Sequence, residues 1–189
     1  VIDTDVNCAC LGEMMYGSTK GINTMIYITI GTGIGVGVVV GKTTLKGMLH
    51  PEAGHILMRR NPADSYEGKC PYHKDCFEGL ASGPAINERC KVPAYEIPAV
   101  DSVWELEADY IAQAVTNYIL AYSPEKVVLG GGVMEQTHLF PMIREKVAKY
   151  MNGYITTKQI CDIDNYIVPA TLNGKQGIFG AYYLAKQAI

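Results

Sequence analysis

Apolar and polar positions follow two different periods in the first part of the chain. From Val6 to Met14 the apolar residues recur at helical spacing, and Asp5 can cap this helix. Residues 24–30 are almost continuously apolar and residues 36–40 form a second apolar run, which predicts two buried strands. A glycine-rich turn separates the strands, so we expect them to form a hairpin after the first helix.

The second half of the chain alternates between helix and strand. A helical apolar face begins at Ser102 and ends at Tyr122, which makes this the longest predicted helix. Further elements follow in the order strand, helix, strand and helix, at residues 126–129, 138–151, 166–168 and 177–186. This alternation is typical of an α/β layered architecture, which is the fold class that we expect.

Residues 50–79 separate these halves and show little periodicity. They carry prolines, glycines and mixed charges, so we expect a loop-dominated segment. A helix is predicted to start near Ser82, with Pro84 at an early helical position. A loop of that length is uncommon in a compact domain unless something holds it, and a metal ion would serve.

Composition and charge argue against several classes of protein. The chain has 189 residues, 48% of them hydrophobic, and a net charge of −3. It contains no basic run, which argues against nucleic acid as a partner. The apolar run at residues 36–40 is too short to span a bilayer, and no charged segment precedes an apolar one as in a signal peptide. We therefore expect no membrane partner and a cytoplasmic location.

The cysteines do not suggest a disulfide framework, because the chain is not small and shows no secretory signal. Four of them are expected to be small, mostly buried hydrophobic residues: Cys8, Cys10, Cys90 and Cys161.

The remaining cysteines belong to a candidate metal site. Cys70, His73 and Cys76 form a Cys-x2-His-x2-Cys cluster, and His55 lies upstream. Two thiolates and two imidazoles suit tetrahedral zinc, and His55 would tie the cluster to the preceding segment. Scattered surface residues are the alternative. Because nothing in the pattern suggests an open coordination position, we expect a structural Zn²⁺ site.

Two glycine-rich turns are candidates for phosphate or nucleotide binding. At Gly31, Thr32 and Gly33, backbone N–H groups can approach phosphate oxygens and a hydroxyl adds a donor. The pattern is neither a P-loop nor a dinucleotide fingerprint, because a strand follows it. At residues 130–132 an adenosine could lie against bare backbone. The structural alternatives are close strand packing for the first turn and an ordinary strand-to-helix turn for the second.

Three carboxylates are candidates for acid–base chemistry or for binding hydroxyl groups. A carboxylate can take the proton of an attacking hydroxyl or accept hydrogen bonds from other hydroxyls. Asp5 is one candidate, with the helix cap as its alternative role. Glu52 and Glu78 lie close in sequence to the candidate zinc ligands, although either could be a solvated loop residue.

Together these segments resemble the ROK family of sugar kinases and sugar-responsive repressors. Residues 4–7 and 11–13 are similar to the family's Asn-Asp-x-Asn-Ala-Ala-x-Gly-Glu segment, whose Asp is the catalytic base. Residues 30–35 resemble the family's phosphate-binding hairpin. Residues 52–55 resemble its Glu-x-Gly-His sugar and zinc segment, and residues 129–133 resemble its adenosine segment. The form of the zinc loop resembles the bacterial zinc- and magnesium-dependent fructokinases.

The resemblance implies an actin-like, hexokinase-like ATPase fold, which is related to ribonuclease H. Residues 1–189 would form its C-terminal lobe and residues 50–83 a zinc-binding loop. By the same resemblance, Asp5 would be the base, and the sugar would be bound by Asn7, Glu52, His55 and Glu78. ATP would be contacted by Gly31, Thr32, Gly33, Pro84, Gly131, Gly132, Val133 and Met134. Mg²⁺ bound with ATP and a homodimer are also implied.

One departure from the family pattern limits the expected activity. The family's N-terminal Asp-x-Gly-Gly-Thr-Lys segment, which contacts phosphate and magnesium, is not found in this sequence. We therefore expect these residues alone to bind zinc but to phosphorylate fructose poorly or not at all. The expected reaction of the enzyme is conversion of D-fructose to fructose 6-phosphate. The alternatives are a glucokinase or amino-sugar kinase, a sugar-sensing repressor, and a zinc-stabilised interaction module.

Overall fold

A five-stranded mixed sheet forms the centre of the fold in the computed structural model, which describes residues 2–19 and 21–188. The strand order is β3-β2-β1-β4-β5. The strands are β1 (Met25–Ile30), β2 (Ile34–Val40), β3 (Thr43–Thr44), β4 (Lys126–Gly130) and β5 (Ile167–Pro169). β1, β2 and β3 form an antiparallel meander, whereas β4 lies parallel to β1 and β5 parallel to β4.

Helices cover both faces of this sheet. They are α1 (Asp5–Tyr16), α2 (Phe77–Ala81), α3 (Gly83–Cys90), α4 (Val103–Tyr122), α5 (Leu139–Met151), α6 (Lys158–Cys161), α7 (Ile163–Tyr166) and α8 (Gln176–Gln187). Short 3-10 turns lie at Ala53–His55, Ala94–Glu96 and Gly132–Glu135.

The strand β1 separates two hydrophobic cores, because its side chains alternate between the faces of the sheet. Ile26 and Ile28 are buried in the core that also contains residues of α2, α4 and α5. Met25 and Tyr27 are buried in the smaller core formed with α1 and packed against α8. The chain therefore has three layers, helix on sheet on helix.

Helices α1 and α8 approach each other closely at two glycines. A Cβ atom at Gly12 would overlap the backbone carbonyl of Gln176, and one at Gly180 would overlap the carbonyl of Cys8. Only glycine permits this backbone-to-backbone contact. The contact fixes the start of α8 against the middle of α1.

The predicted helices and strands are confirmed to within a few residues, and the hairpin is antiparallel as expected. Three short helices (α2, α6 and α7) and the two-residue strand β3 were not predicted. The predicted cap of α1 is wrong: Thr4 is the N-cap, and its hydroxyl oxygen accepts a hydrogen bond from the backbone N–H of Asn7 at 3.1 Å. Asp5 occupies the first turn instead.

The expectation that four cysteines are mostly buried is only partly right. Cys10 is buried, Cys8 and Cys90 are half-buried, and Cys161 is exposed. Burial raises the pKa of the Cys10 thiol far above its ordinary value, so this group stays protonated and packs as a hydrophobic residue. Among the helices of the described residues, none is long and apolar enough to cross a membrane.

Candidate metal centre and the adjoining glycine hairpin

The four predicted zinc ligands come together in space. Nδ1 of His55 lies 3.7 Å from Sγ of Cys70 and 3.5 Å from Sγ of Cys76, and Nδ1 of His73 lies 3.6 Å from Sγ of Cys70. All four donor atoms fall within 4.8 Å of one another. Zinc bonds of about 2.3 Å to sulfur and about 2.0 Å to nitrogen, at a tetrahedral angle, require a separation of about 3.5 Å between such atoms. The arrangement therefore fits a tetrahedral metal ion with two thiolate and two imidazole ligands.

Backbone hydrogen bonds bring the two ends of the metal-binding loop together. The N–H of Phe77 donates to the carbonyl of Ile56 at 3.1 Å, so the end of the loop lies beside its start. Between them, Cys70 and Lys74 exchange backbone bonds of 3.3 Å and 3.0 Å, which close a tight turn around His73. This turn presents two of the donors, and the 3-10 turn at Ala53–His55 supplies a third.

The environments of the two thiols differ. Burial tends to raise the pKa of Cys70, but the backbone N–H groups of His73 and Tyr72 outweigh burial and lower it. Burial raises the pKa of Cys76 to about 11. Because a metal ligand must be a thiolate, proton release from Cys76 accompanies metal binding.

A second, non-metal anchor holds the same loop. The carboxylate of Asp64 accepts hydrogen bonds from Nη2 of Arg89 at 3.1 Å and from the hydroxyl of Tyr110 at 2.8 Å. Arg89 is on α3 and Tyr110 is on α4, so Asp64 ties the loop to both helices. Burial opposes ionisation of Asp64, but hydrogen bonds from Arg89 and Tyr110 outweigh it and lower the pKa.

Three glycine segments meet at the carboxyl end of β1. The N–H of Gly83 donates to the carbonyl of Gly31 at 2.8 Å, and a Cβ atom at Gly31 would lie 3.9 Å from the backbone nitrogen of Gly132. Gly131 has a φ of +89°, which favours glycine, and its backbone packs against Ile30. These contacts therefore bring the predicted nucleotide-binding residues close together. They come from the hairpin, from the start of α3 and from the second glycine turn.

Glu78 lies between the metal centre and the glycine hairpin. One carboxylate oxygen accepts a hydrogen bond from the backbone N–H of Ile34 at 2.9 Å. The other lies 3.9 Å from Nε2 of His55. Glu78 is on α2, directly after the ligand Cys76, so the same short helix positions a carboxylate against both sites.

The predicted base lies on the other side of the hairpin. Asp5 is exposed in the first turn of α1, where its carboxylate accepts the backbone N–H of Val6 at 2.8 Å. Val6 packs against Gly35, and its carbonyl lies where a Cβ atom of Gly37 would be. The glycines of β2 therefore permit close packing of α1 against the sheet.

The predicted sugar-binding residues Glu52 and Asn7 differ in their exposure to solvent. Glu52 is exposed, and its Oε1 lies 2.8 Å from Nε2 of His50. Asn7 is buried, and its Nδ2 donates to Asp3 at 2.7 Å. Its Oδ1 finds no hydrogen-bond partner among the residues described. Asn7 thus faces the interior of the N-terminal turn of α1.

A cavity of about 430 Å³ opens beside the second glycine turn. Three predicted nucleotide contacts line it: Gly131, Gly132 and Met134. Val133 is buried and Thr32 is exposed at the tip of the hairpin. The sequence-based prediction missed the remaining polar part of the lining, which is formed by Glu135, Asn173 and Gln176. The last two follow β5, so only the parallel pairing of β4 and β5 places them here.

Comparison with known proteins agrees with this architecture. The sequence model of the ROK family matches residues 1–188. The chain belongs to the ROK family. A ROK hexokinase from Thermus thermophilus superimposes with a TM-score of 0.77 at 25% identity, over 98% of this chain and 65% of that one. The ROK hexokinase-like fold that the resemblance implied is therefore confirmed.

Two curated relatives of this ROK chain are named as fructokinases. A putative fructokinase of Bacillus subtilis is 52% identical over 187 residues, which are 98% of this chain and 62% of the relative. A fructokinase of Pediococcus pentosaceus is 47% identical over 186 residues, which are 98% of this chain and 64% of the relative. The ROK chain thus spans less than two thirds of each of these relatives.

Proposed function

We propose that this chain forms part of an ATP-dependent fructokinase that converts D-fructose to fructose 6-phosphate. The observation that carries the proposal is the meeting of three glycine segments at one edge of the sheet, with the exposed carboxylate of Asp5 on one side and Glu78 on the other. Bare backbone suits polyphosphate and adenosine, and carboxylates suit sugar hydroxyls. The names of the two curated relatives support fructose as the sugar.

In this proposal Asp5 takes the proton of the attacking sugar hydroxyl. The hydroxyl oxygen bonds to the γ-phosphorus of ATP as the bond to the β-phosphate oxygen breaks, and ADP leaves. Gly31, Thr32 and Gly33 lie towards the phosphates. The adenosine occupies the cavity beside the second glycine turn, where Gly131, Gly132, Val133, Met134 and, from α3, Pro84 are the proposed contacts.

The sugar is bound between the hairpin and the metal-binding loop. Glu52, His55 and Glu78 supply acceptors and a donor to its hydroxyls, and Asn7 supports the turn that carries the base. The ion held by His55, Cys70, His73 and Cys76 is zinc, in a structural role, because the donor set closes a tetrahedron. When bound with ATP, Mg²⁺ neutralises charge on the phosphates.

We also propose that the protein is a cytoplasmic homodimer. In this proposal it has no nucleic-acid partner and no membrane partner. The low net charge of −3 is compatible with these assignments.

The test is a panel of sugars offered with ATP to the full-length protein, with ADP release measured. We expect fructose to be the preferred acceptor over glucose and N-acetylmannosamine. Replacing the base, Asp5→Asn, should lower kcat by about 10²- to 10⁴-fold while the KM for ATP changes little. Glu145→Gln removes an exposed carboxylate on α5 and serves as the control. Equal turnover by Asp5→Asn would reject the base, and a preference for another sugar would reject the substrate.

A further inference from the structure

The buried carboxylate of Asp3 is the centre of a hydrogen-bond network at the start of α1. Its Oδ1 accepts from the backbone N–H of Thr4 at 2.9 Å and from Nδ2 of Asn7 at 2.7 Å. Its Oδ2 accepts from the hydroxyl of Thr44 at 2.8 Å and lies 3.1 Å from Nζ of Lys46. Only 2% of its side chain is exposed, so the group depends on these donors in place of water.

The network joins two parts of the fold that are far apart in sequence. Thr4 and Asn7 belong to the cap and first turn of α1, whereas Thr44 belongs to β3 at the edge of the sheet. Burial works against ionisation of Asp3, but the donors from Asn7, Thr44, Thr4 and Lys46 outweigh it and lower its pKa. The link is therefore a charged one at neutral pH, and charge-assisted hydrogen bonds are the stronger kind.

Asp5 lies within the turn that this network holds. Its own side chain is exposed, and its carboxylate accepts only the N–H of the next residue among the bonds described. Its position relative to the hairpin therefore depends on the backbone on either side of it. Before Asp5, the backbone N–H of Thr4 donates to Asp3. After Asp5, the side-chain Nδ2 of Asn7 donates to the same carboxylate, so the chain is held on both sides of Asp5.

We propose that Asp3 is the positioning residue for the catalytic base Asp5. This inference rests on the proposed function, because it assigns a second residue to the same reaction. Asp3 holds the first turn of α1 against β3, so that the Asp5 carboxylate stays within reach of the sugar hydroxyl. Misplacement of a catalytic group by about 1 Å can cost about 100-fold in rate.

Glu13 provides a matched comparison on the same helix. Its carboxylate accepts from the backbone N–H groups of Thr171 and Leu172 at 2.8 Å and 3.0 Å, and from the hydroxyl of Thr171 at 2.8 Å. The side chain of Glu13 is buried, as that of Asp3 is, and it also ties α1 to a distant segment. It lies at the opposite end of the helix from Asp5, so its loss should affect stability without a specific effect on the base.

The experiment is a double-mutant cycle in the full-length protein. Asp3→Ala should lower kcat with fructose by about 10- to 100-fold when Asp5 is present. In the Asp5→Asn background the same change should lower the residual rate by less than about 2-fold, because no positioned base remains to be disturbed. Zinc content and thermal unfolding establish that each variant is folded. Glu13→Gln should lower the rate by the same factor in both backgrounds.

Thr44→Val keeps the proposal testable if Asp3→Ala does not fold. It removes one donor to Asp3 and should lower kcat by a smaller factor, again only when Asp5 is present. Full activity of folded Asp3→Ala would overturn the positioning role, and so would full activity of Thr44→Val if Asp3→Ala does not fold. An equal loss of rate with and without Asp5 would overturn it as well. If Asp5→Asn itself turns over like the unmodified protein, the proposed base fails instead, and the two failures are thereby distinguished.

Discussion

The loop that carries the metal ligands and the helix α4 are held in place by opposite means. Between Ile56 and Phe77 the chain forms no helix and no strand of the sheet. It is held by the metal donors, by the carboxylate of Asp64 and by scattered hydrogen bonds such as those between Arg59 and Gln113 of α4. The helix α4 buries one long apolar face in the main core, from Trp104 to Ile119. The loop depends on ionised groups, whereas the helix depends on the removal of apolar surface from water.

The difference predicts that the two regions respond to different perturbations. Loss of a metal ligand should release the loop and leave the sheet and α4 folded. Loss of a core side chain should lower the stability of the whole fold while the metal remains bound to the folded fraction. Local and global opening are distinct processes in proteins, and they can be measured separately.

The largest effect is expected from Cys76→Ser or from removal of the metal ion, proposed to be zinc, with a chelator. Structural zinc sites contribute about 10–16 kcal/mol of apparent binding free energy in small zinc-binding peptides, so the loop should lose its order without the ion. Trypsin reports on this change because α4 contains no lysine or arginine, whereas the loop contains Arg59, Arg60, Lys69 and Lys74. We expect rapid cleavage in the loop, with far-UV circular dichroism largely retained.

Cys161→Ser is the control for this experiment, because this cysteine is exposed and lies outside the metal cluster. It should bind one zinc ion per chain and resist trypsin like the unmodified protein. Loss of most of the circular dichroism on chelation would show that the metal holds the whole fold, and the contrast between the two regions would fail.

A smaller, global effect is expected from Ile111→Ala on α4. Ile111 is fully buried in the main core, and such truncations cost about 2–5 kcal/mol. Denaturation at a fixed zinc concentration should show lower stability with an unchanged zinc content of the folded protein. Leu120→Ala, on the half-exposed side of the same helix, should cost much less. Zinc loss from folded Ile111→Ala would contradict the separation of the two regions.

The smallest expected effect is on the pH dependence of stability and involves Glu107, an acidic residue in the apolar face of α4. Its carboxyl is buried and has no hydrogen-bond partner among the residues described, and burial raises its pKa well above the ordinary value. The folded protein therefore binds a proton that the unfolded chain, with a pKa of about 4.3, releases. Stability should fall as the pH rises from that value towards the raised pKa of the folded state.

Glu107→Gln should remove this slope, because the amide is a neutral group of the same shape. The stability of the variant relative to the unmodified protein should rise as the pH increases above about 4.3, as measured by thermal unfolding. Glu105→Gln, which changes an exposed carboxylate on the same helix, is the control. Parallel pH profiles for the unmodified protein and Glu107→Gln would show that Glu107 is ionised in the folded state.

Much of the fold was predictable where a single period extends over many residues. The apolar face of α4 and the run that forms β1 are such cases, and both were located from sequence. The helix α2 was missed because five residues after a metal ligand are too few to establish a period. The cap of α1 was misassigned because Thr4 and Asp5 are both capping types, and the backbone angles decide between them.

The candidate site was predictable in its residue types but not in its three-dimensional arrangement. The metal ligands lie close together in the chain, so their spacing was informative. The network around Asp3 was not predictable, because it requires β3 to lie beside α1. The exposure of Cys161 also depends on tertiary structure, since α6 lies at the outside of the fold.

The glycine contact between α1 and α8 has a consequence for motion. Gly12 and Gly180 bring the two helix backbones together, so a hinge between them would open a gap that no side chain could fill. Any movement of this part of the fold should therefore carry both helices as one rigid body. The carboxylate of Asp5 on α1 and the amide of Gln176 on α8 would then move together, so the distance between these two groups would stay constant.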